Sequence, residues 1–118
     1  QLCPREFDLI SGDDSLTLPV LSIGGTGVIS VVANIVPQDV AGLVSAFLKG
    51  DLKKAQELHF KLLPLIKAVF LETNPIPIKT AMGLLGMSDP SLRLPMCPMS
   101  ADNLEKLKQT LRDYGLLK

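Results

Sequence analysis

Ser11-Gly12-Asp13-Asp14-Ser15-Leu16-Thr17-Leu18-Pro19-Val20-Leu21-Ser22-Ile23-Gly24-Gly25-Thr26-Gly27-Val28-Ile29-Ser30-Val31-Val32-Ala33-Asn34-Ile35-Val36 is the stretch that decides the fold. Just before it, Phe7-Asp8-Leu9-Ile10 is a short, largely apolar run stopped by Ser-Gly, which reads as a strand. Asp13 and Asp14 supply helix-start chemistry, and Pro19, lacking an N–H, suits only a first turn. A regular helix is therefore placed from near Leu16 or Thr17 to Gly24-Gly25. Val28-Ile29-Ser30-Val31-Val32 then reads as a second strand, β-branched and apolar on both faces. Strand, helix, strand with about a dozen residues of crossover is a βαβ unit, so the two strands should be parallel.

Working outward, the rest of the chain offers helices and no further strand. The first follows Pro37 and stops at Gly50, with Val40, Leu43, Val44, Phe47 and Leu48 on one face. Asp51 caps a second that runs to about Leu71, with Leu52, Ala55, Leu58, Leu62, Leu65 or Ile66, and Val69 as its buried stripe. Pro64 inside it should kink it. A third opens at Asn74-Pro75-Ile76-Pro77 with Asn74 as cap and ends at Gly86. Ser88 to Met99, with three prolines, is an extended surface connector. Ser100 or Asp102 caps a last helix whose Leu104, Leu107, Leu111 and Tyr114 share a face. Gly115 ends it, and Leu116-Leu117 fold back.

Two parallel strands cannot close a barrel, and as an open sheet they leave edges that proteins usually blunt. The chain also starts at Gln1 with only a short lead before the first strand. On these grounds it is expected to be the C-terminal part of a larger α/β protein.

Composition removes several function classes. The 118 residues carry 12 basic and 12 acidic side chains, so there is no electrostatic footprint for nucleic acid or an anionic membrane. Tyr114 is the only tyrosine and tryptophan is absent, which argues against base-stacking platforms. From Ser15 to Gln38 there is no charged residue, a run that mimics a membrane span. Pro19, Gly24, Gly25, Gly27 and Asn34 break it into short pieces without Lys or Arg flanks, so a buried parallel sheet explains it better. Cys3 and Cys97 lie far apart without metal-ligand spacing, and read as free thiols of a cytoplasmic protein.

The candidate chemistry is thin. Gly24-Gly25-Thr26-Gly27 ends a helix and enters a strand, the reverse of a phosphate-cradling loop, and reads as a tight turn. Asp13 and Asp14 sit at a strand end, the catalytic face of a barrel, yet adjacent side chains diverge and capping accounts for them. His59 has no partner by spacing for a triad and reads as boundary packing. No metal-ligand pattern and no cofactor motif is found. Lys49, Lys53, Lys54, Lys61, Lys67, Lys79, Lys106, Lys108 and Lys118 fall on helices, their ends or the terminus. None sits on a strand, where burial lowers a lysine pKa enough for Schiff-base work. No catalytic nucleophile is therefore assigned within the chain.

Ser11-Gly12-Asp13-Asp14, Gly24-Gly25-Thr26-Gly27-Val28-Ile29-Ser30-Val31 with Ala33-Asn34, and Asn74-Pro75-Ile76-Pro77-Ile78-Lys79 occur in one order. With Leu92-Arg93-Leu94-Pro95-Met96 and the Tyr114-Gly115-Leu116-Leu117 ending, the chain resembles the dihydrodipicolinate synthase (4-hydroxy-tetrahydrodipicolinate synthase) family along essentially its whole length. The resemblance implies the C-terminal segment of a TIM (β/α)8 barrel. Residues 1–50 would hold strands 7 and 8 with their helices, and residues 51–118 a small C-terminal helical region. It implies a homotetrameric parent enzyme that condenses pyruvate with aspartate semialdehyde in lysine biosynthesis, through a Schiff base on a lysine upstream of Gln1. By motif, Ile29 matches a residue whose backbone contacts the pyruvate site, and Gly12 one that lines the same pocket. The alternatives are another pyruvate aldolase, such as a sialic-acid lyase, and a non-catalytic oligomerisation or structural module. In the last case, exposed apolar faces predict self-association.

Overall fold

The computed structural model describes residue 4 and residues 6–118; Cys3 lies outside the described residues. Strands β1 (Ile10–Ser11) and β2 (Gly27–Val28) pair in parallel with Ile10 opposite Gly27 and Ser11 opposite Val28. The ladder extends one step each way, through Thr26 N–H to the Leu9 carbonyl and Ile29 N–H to the Ser11 carbonyl, both at 2.8 Å. Among the described residues no other strand follows or flanks this pair. The α/β crossover with parallel strands is as the sequence implied.

Both strands are shorter than expected. Phe7 and Asp8 stay outside the ladder, and the chain after Ile29 leaves the sheet instead of continuing to Val32. Val32–Asn34 is a 3-10 turn. The diverting group comes from far along the sequence: the Asp14 carboxylate takes up the Val31 and Val32 N–H groups that a longer strand would offer to a neighbour.

The crossover begins with a 3-10 turn at Asp14–Leu16 and continues as helix α1 (Thr17–Ser22). Gly24 follows with φ +99°, a left-handed turn that L side chains avoid. At Gly25 a Cβ would stand 2.5 Å from Val20 Cγ1 and 2.7 Å from the Val20 carbonyl oxygen, so the turn closes only because that residue has no side chain.

Helix α2 (Pro37–Leu48) starts on its proline and ends before Gly50, whose φ is +82°. Helix α3 (Leu52–Ala68) is capped as expected by Asp51, which accepts from Lys54 N–H at 3.0 Å, and it runs on through Pro64. Leu43 of α2 and Ala55, Leu58, Leu62, Leu65, Ile66 and Val69 on the α3 side are buried, and α2 packs along α3. Leu48 and Leu52 are not part of the stripe. They flank the turn between the two helices and are 62% and 50% exposed.

Helix α4 (Ile76–Leu84) begins one residue later than Asn74 would set it. Asn74 does not cap it; Pro75 holds the cap position and the Ile76 N–H bonds the Thr73 carbonyl at 2.9 Å. Residues 88–99 form the irregular connector expected. Helix α5 (Ala101–Asp113) buries Leu107 and Leu111 against α3 and α4. Its start is not capped by its own Ser100 or Asp102. Glu72, from the loop before α4, accepts from Ser100 N–H at 3.0 Å, Ser100 Oγ at 2.9 Å and Asn103 Nδ2 at 2.9 Å. After Gly115 (φ +86°) the chain folds back, with Leu116 and Leu117 against the core. One apolar cluster, including Val32, Leu43, Leu65, Val69 and Leu111, joins the βαβ unit to the helical tail. No helix among the described residues is long and apolar enough to cross a membrane.

Candidate functional site

The C-terminal ends of β1 and β2 lie side by side, and they carry both residues singled out from the sequence. Gly12 and Ile29 each stand one step beyond a paired residue, Ser11 and Val28. Gly12 is exposed, and a Cβ built there would meet nothing within 4 Å. Ile29 is 76% exposed. Its N–H is fixed on the Ser11 carbonyl, and among the described residues no donor reaches its own carbonyl.

The two aspartates behind Gly12 do different work. Asp13 is the cap the sequence implied: its Oδ1 accepts from Ser15 N–H at 2.7 Å and Ser15 Oγ at 2.6 Å. These bonds, the Ser15 hydroxyl first, hold its carboxyl below the ordinary carboxylate value against the opposing cost of burial. Asp14 is not a cap. Only 4% exposed, it reaches across to the segment after β2. Its Oδ1 accepts from the Ser30 hydroxyl; its Oδ2 accepts from Val31 N–H at 2.9 Å and, more weakly, from Val32 N–H at 3.4 Å. Ser30 Oγ in turn accepts from Ala33 N–H at 2.9 Å. Spacing carries no signal for this tie, because its members are 16 to 18 residues apart on different loops.

The other singled-out groups stay apart from chemistry. His59 sits at the boundary of α3 with a buried Nδ1 that finds no partner among the described residues, and its ring meets Phe60 edge-on at 5.5 Å. Desolvation pushes its pKa down, favouring neutral imidazole. None of the lysines lies on β1 or β2. Lys61 Nζ pairs with Asp39 at 2.7 Å, and Lys79 Nζ donates to the Ser91 carbonyl. Cys97 is an exposed free thiol. Among the described residues no three His, Cys, Asp or Glu side chains converge as a metal site would require.

A groove of about 640 Å³ runs beside β2 and α2, lined mainly by Gly27, Val28, Ala33, Val40, Val44 and Leu48. Neither Gly12 nor Ile29 borders it. What Gly12 and Ile29 present at these strand ends is backbone: an open surface at Gly12 and an Ile29 carbonyl that no donor reaches among the described residues.

Comparison with known proteins gives one consistent answer. The model of the "Dihydrodipicolinate synthetase family" matches residues 1–114. The 4-hydroxy-tetrahydrodipicolinate synthase of Endomicrobium trichonymphae is 60% identical over 113 residues, which is 96% of this chain and 39% of that protein. The enzyme of the same name from Methanosarcina acetivorans is 54% identical over 118 residues, 100% of this chain and 40% of its own length. The crystal structure of dihydrodipicolinate synthase from Aquifex aeolicus superposes with a TM-score of 0.93 at 48% identity, covering 96% of this chain and 39% of that one. The chain thus spans about two fifths of the relatives it matches.

Proposed function

This chain belongs to the dihydrodipicolinate synthetase family, and from that premise we propose that it is the C-terminal part of a (β/α)8-barrel 4-hydroxy-tetrahydrodipicolinate synthase. In this reading residues 1–50 are the last two βα units of the barrel and residues 51–118 are the helical region that follows. The whole enzyme is a lyase of lysine biosynthesis that condenses pyruvate with aspartate semialdehyde. It works in the cytoplasm as a homo-oligomer, a tetramer.

The observation that carries this reading is the unfinished state of the sheet. Among the described residues each strand has one neighbour, and apolar residues that a closed barrel would cover, among them Leu9 and Ile10, are exposed. The groove beside β2 and α2 has the composition of a seam for another βα unit: a strand against Val28 and a helix against Val40 and Val44. The element order supports the C-terminal position, since three helices and no strand follow α2 among the described residues.

The division of labour follows from the chemistry. The Schiff-base lysine and the hydroxyls that assist it belong to the upstream strands. Gly12 and Ile29 form the part of the pyruvate site that this chain contributes, at the strand ends where barrel enzymes keep their sites. Gly12 leaves room for the ligand, and Ile29 presents a backbone carbonyl with no competing donor among the described residues.

Treating the isolated chain with pyruvate and borohydride and weighing it should leave its mass unchanged. A stable pyruvyl adduct on one of its own lysines would contradict this division.

A further inference from the structure

We propose that Asp14 and Ser30 are positioning residues that aim the Ile29 carbonyl into the pyruvate site. The inference rests on the reading of Gly12 and Ile29 as walls of that site. Ile29 is held on both sides. On its N-terminal side, its N–H is anchored on Ser11 of β1. On its C-terminal side, Ser30 is gripped through its hydroxyl, which donates to Asp14 and accepts from Ala33 N–H, while Val31 N–H is bound by the same carboxylate. The peptide between these anchors carries the Ile29 carbonyl, which bonds to nothing among the described residues. Fixing both flanks of an unpaired backbone acceptor is how a site keeps it aimed before the ligand arrives.

The tie is also expensive to keep for packing alone. A buried carboxylate is costly unless it is hydrogen-bonded, and here the donors are one hydroxyl and two backbone N–H groups, with no cation paired to it among the described residues. Because Asp14 follows Gly12 on the β1 side and Ser30 follows Ile29 on the β2 side, the same tie fixes the spacing between the two walls.

The test is steady-state kinetics on the full-length protein carrying this segment, with wild type, Ser30→Ala and Ser30→Thr. Removing one hydrogen bond to a carboxylate should raise the KM for pyruvate about tenfold in Ser30→Ala. The KM for aspartate semialdehyde should stay within about twofold, since that substrate meets an already loaded site. Ser30→Thr keeps the hydroxyl and should restore the pyruvate KM. If Ser30→Ala does not fold, Ser30→Cys replaces it, its thiol being a weak donor; a raised pyruvate KM supports the role and an unchanged one overturns it. A pyruvate KM unchanged in Ser30→Ala, or one that rises only in step with the aspartate semialdehyde KM, overturns the positioning role while leaving the site in place. Wild-type protein that takes up no pyruvate under borohydride removes the site reading and the positioning role together.

Discussion

Tyr114 donates its phenol hydrogen to Asp39 Oδ2 at 2.5 Å across 75 positions of sequence, and Lys61 Nζ donates to the same oxygen at 2.7 Å. The ammonium also lies 4.9 Å from the centre of the Tyr114 ring, within cation–π range. Three elements meet in this cluster: the first turn of α2, the middle of α3 and the residue that closes α5. It clamps the end of α5 to α2 and α3.

Replacing Tyr114 by Phe keeps the ring and removes the bond. The variant should lose about 1 kcal/mol in urea unfolding. Burial first, and then the bond to Asp39, push the Tyr114 pKa well above its ordinary value. A raised folded pKa means stability that is fully present below the unfolded value, near pH 10, and lost as pH rises toward the folded value. Tyrosinate absorbance should therefore appear at higher pH in the folded chain than in urea. Coincident titrations in the two states would contradict the clamp.

Asp39 titrates in the opposite sense. The Lys61 ammonium and then the Tyr114 hydroxyl hold its carboxyl below the ordinary value. Its contribution is present above about pH 4 and disappears as pH falls through the folded pKa. Asp39→Asn should cost about 1 kcal/mol at pH 7, and the difference from wild type should shrink on acidification. Urea midpoints measured from pH 7 down to about pH 3 check this.

Gly25 and Gly12 separate folding from function. Ala at position 25 meets the Val20 backbone, which cannot yield as a side-chain tip does, and should destabilise by about 1–3 kcal/mol. Ala at position 12 meets only open space and should leave the melting temperature within about 2 °C. If Gly12 lines the pyruvate site as proposed, the same Gly12→Ala methyl enters that site in the full-length protein and should lower kcat/KM. Thermal melts and kinetics on the two variants distinguish the roles.

The isolated chain should self-associate. Ile10 in β1 and Ile29 just after β2 are exposed on a two-stranded sheet whose edges are open among the described residues, and Ile23 is exposed between α1 and β2. Sedimentation velocity should show species larger than 12.7 kDa together with ANS binding. A compact monomer that binds no dye would mean that the apolar edges need no partner.

Legibility followed the range of the forces. Capping by Asp51, the turn at Gly50 and the stripe from Ala55 to Val69 were readable because helix periodicity and caps act within four residues. Leu48 and Leu52 fit the period but stand where no partner element covers them. The caps at Asn74 and Ser100 failed for a related reason: local chemistry was right, but the Thr73 carbonyl and the Glu72 carboxylate supply the bonds. The second strand was overlong because β-branched residues favour strands, while Asp14, far away in sequence, claims Val31 and Val32. For Gly12 and Ile29, spacing alone showed nothing; the family motif pointed to them, and the parallel register brings them side by side.

The central claim is that these strand ends complete a pyruvate site whose lysine lies on an upstream strand of the proposed barrel. Its most direct test is to join residues 4–118 to the C-terminal end of the upstream portion of the Endomicrobium trichonymphae synthase, cut where the similarity begins, and to weigh the fusion after pyruvate and borohydride treatment. The account predicts one pyruvyl adduct, located on a lysine of the upstream portion, together with condensation activity that neither part shows alone. A folded fusion that forms no adduct, or one in which the adduct maps to a lysine of this chain, would contradict it.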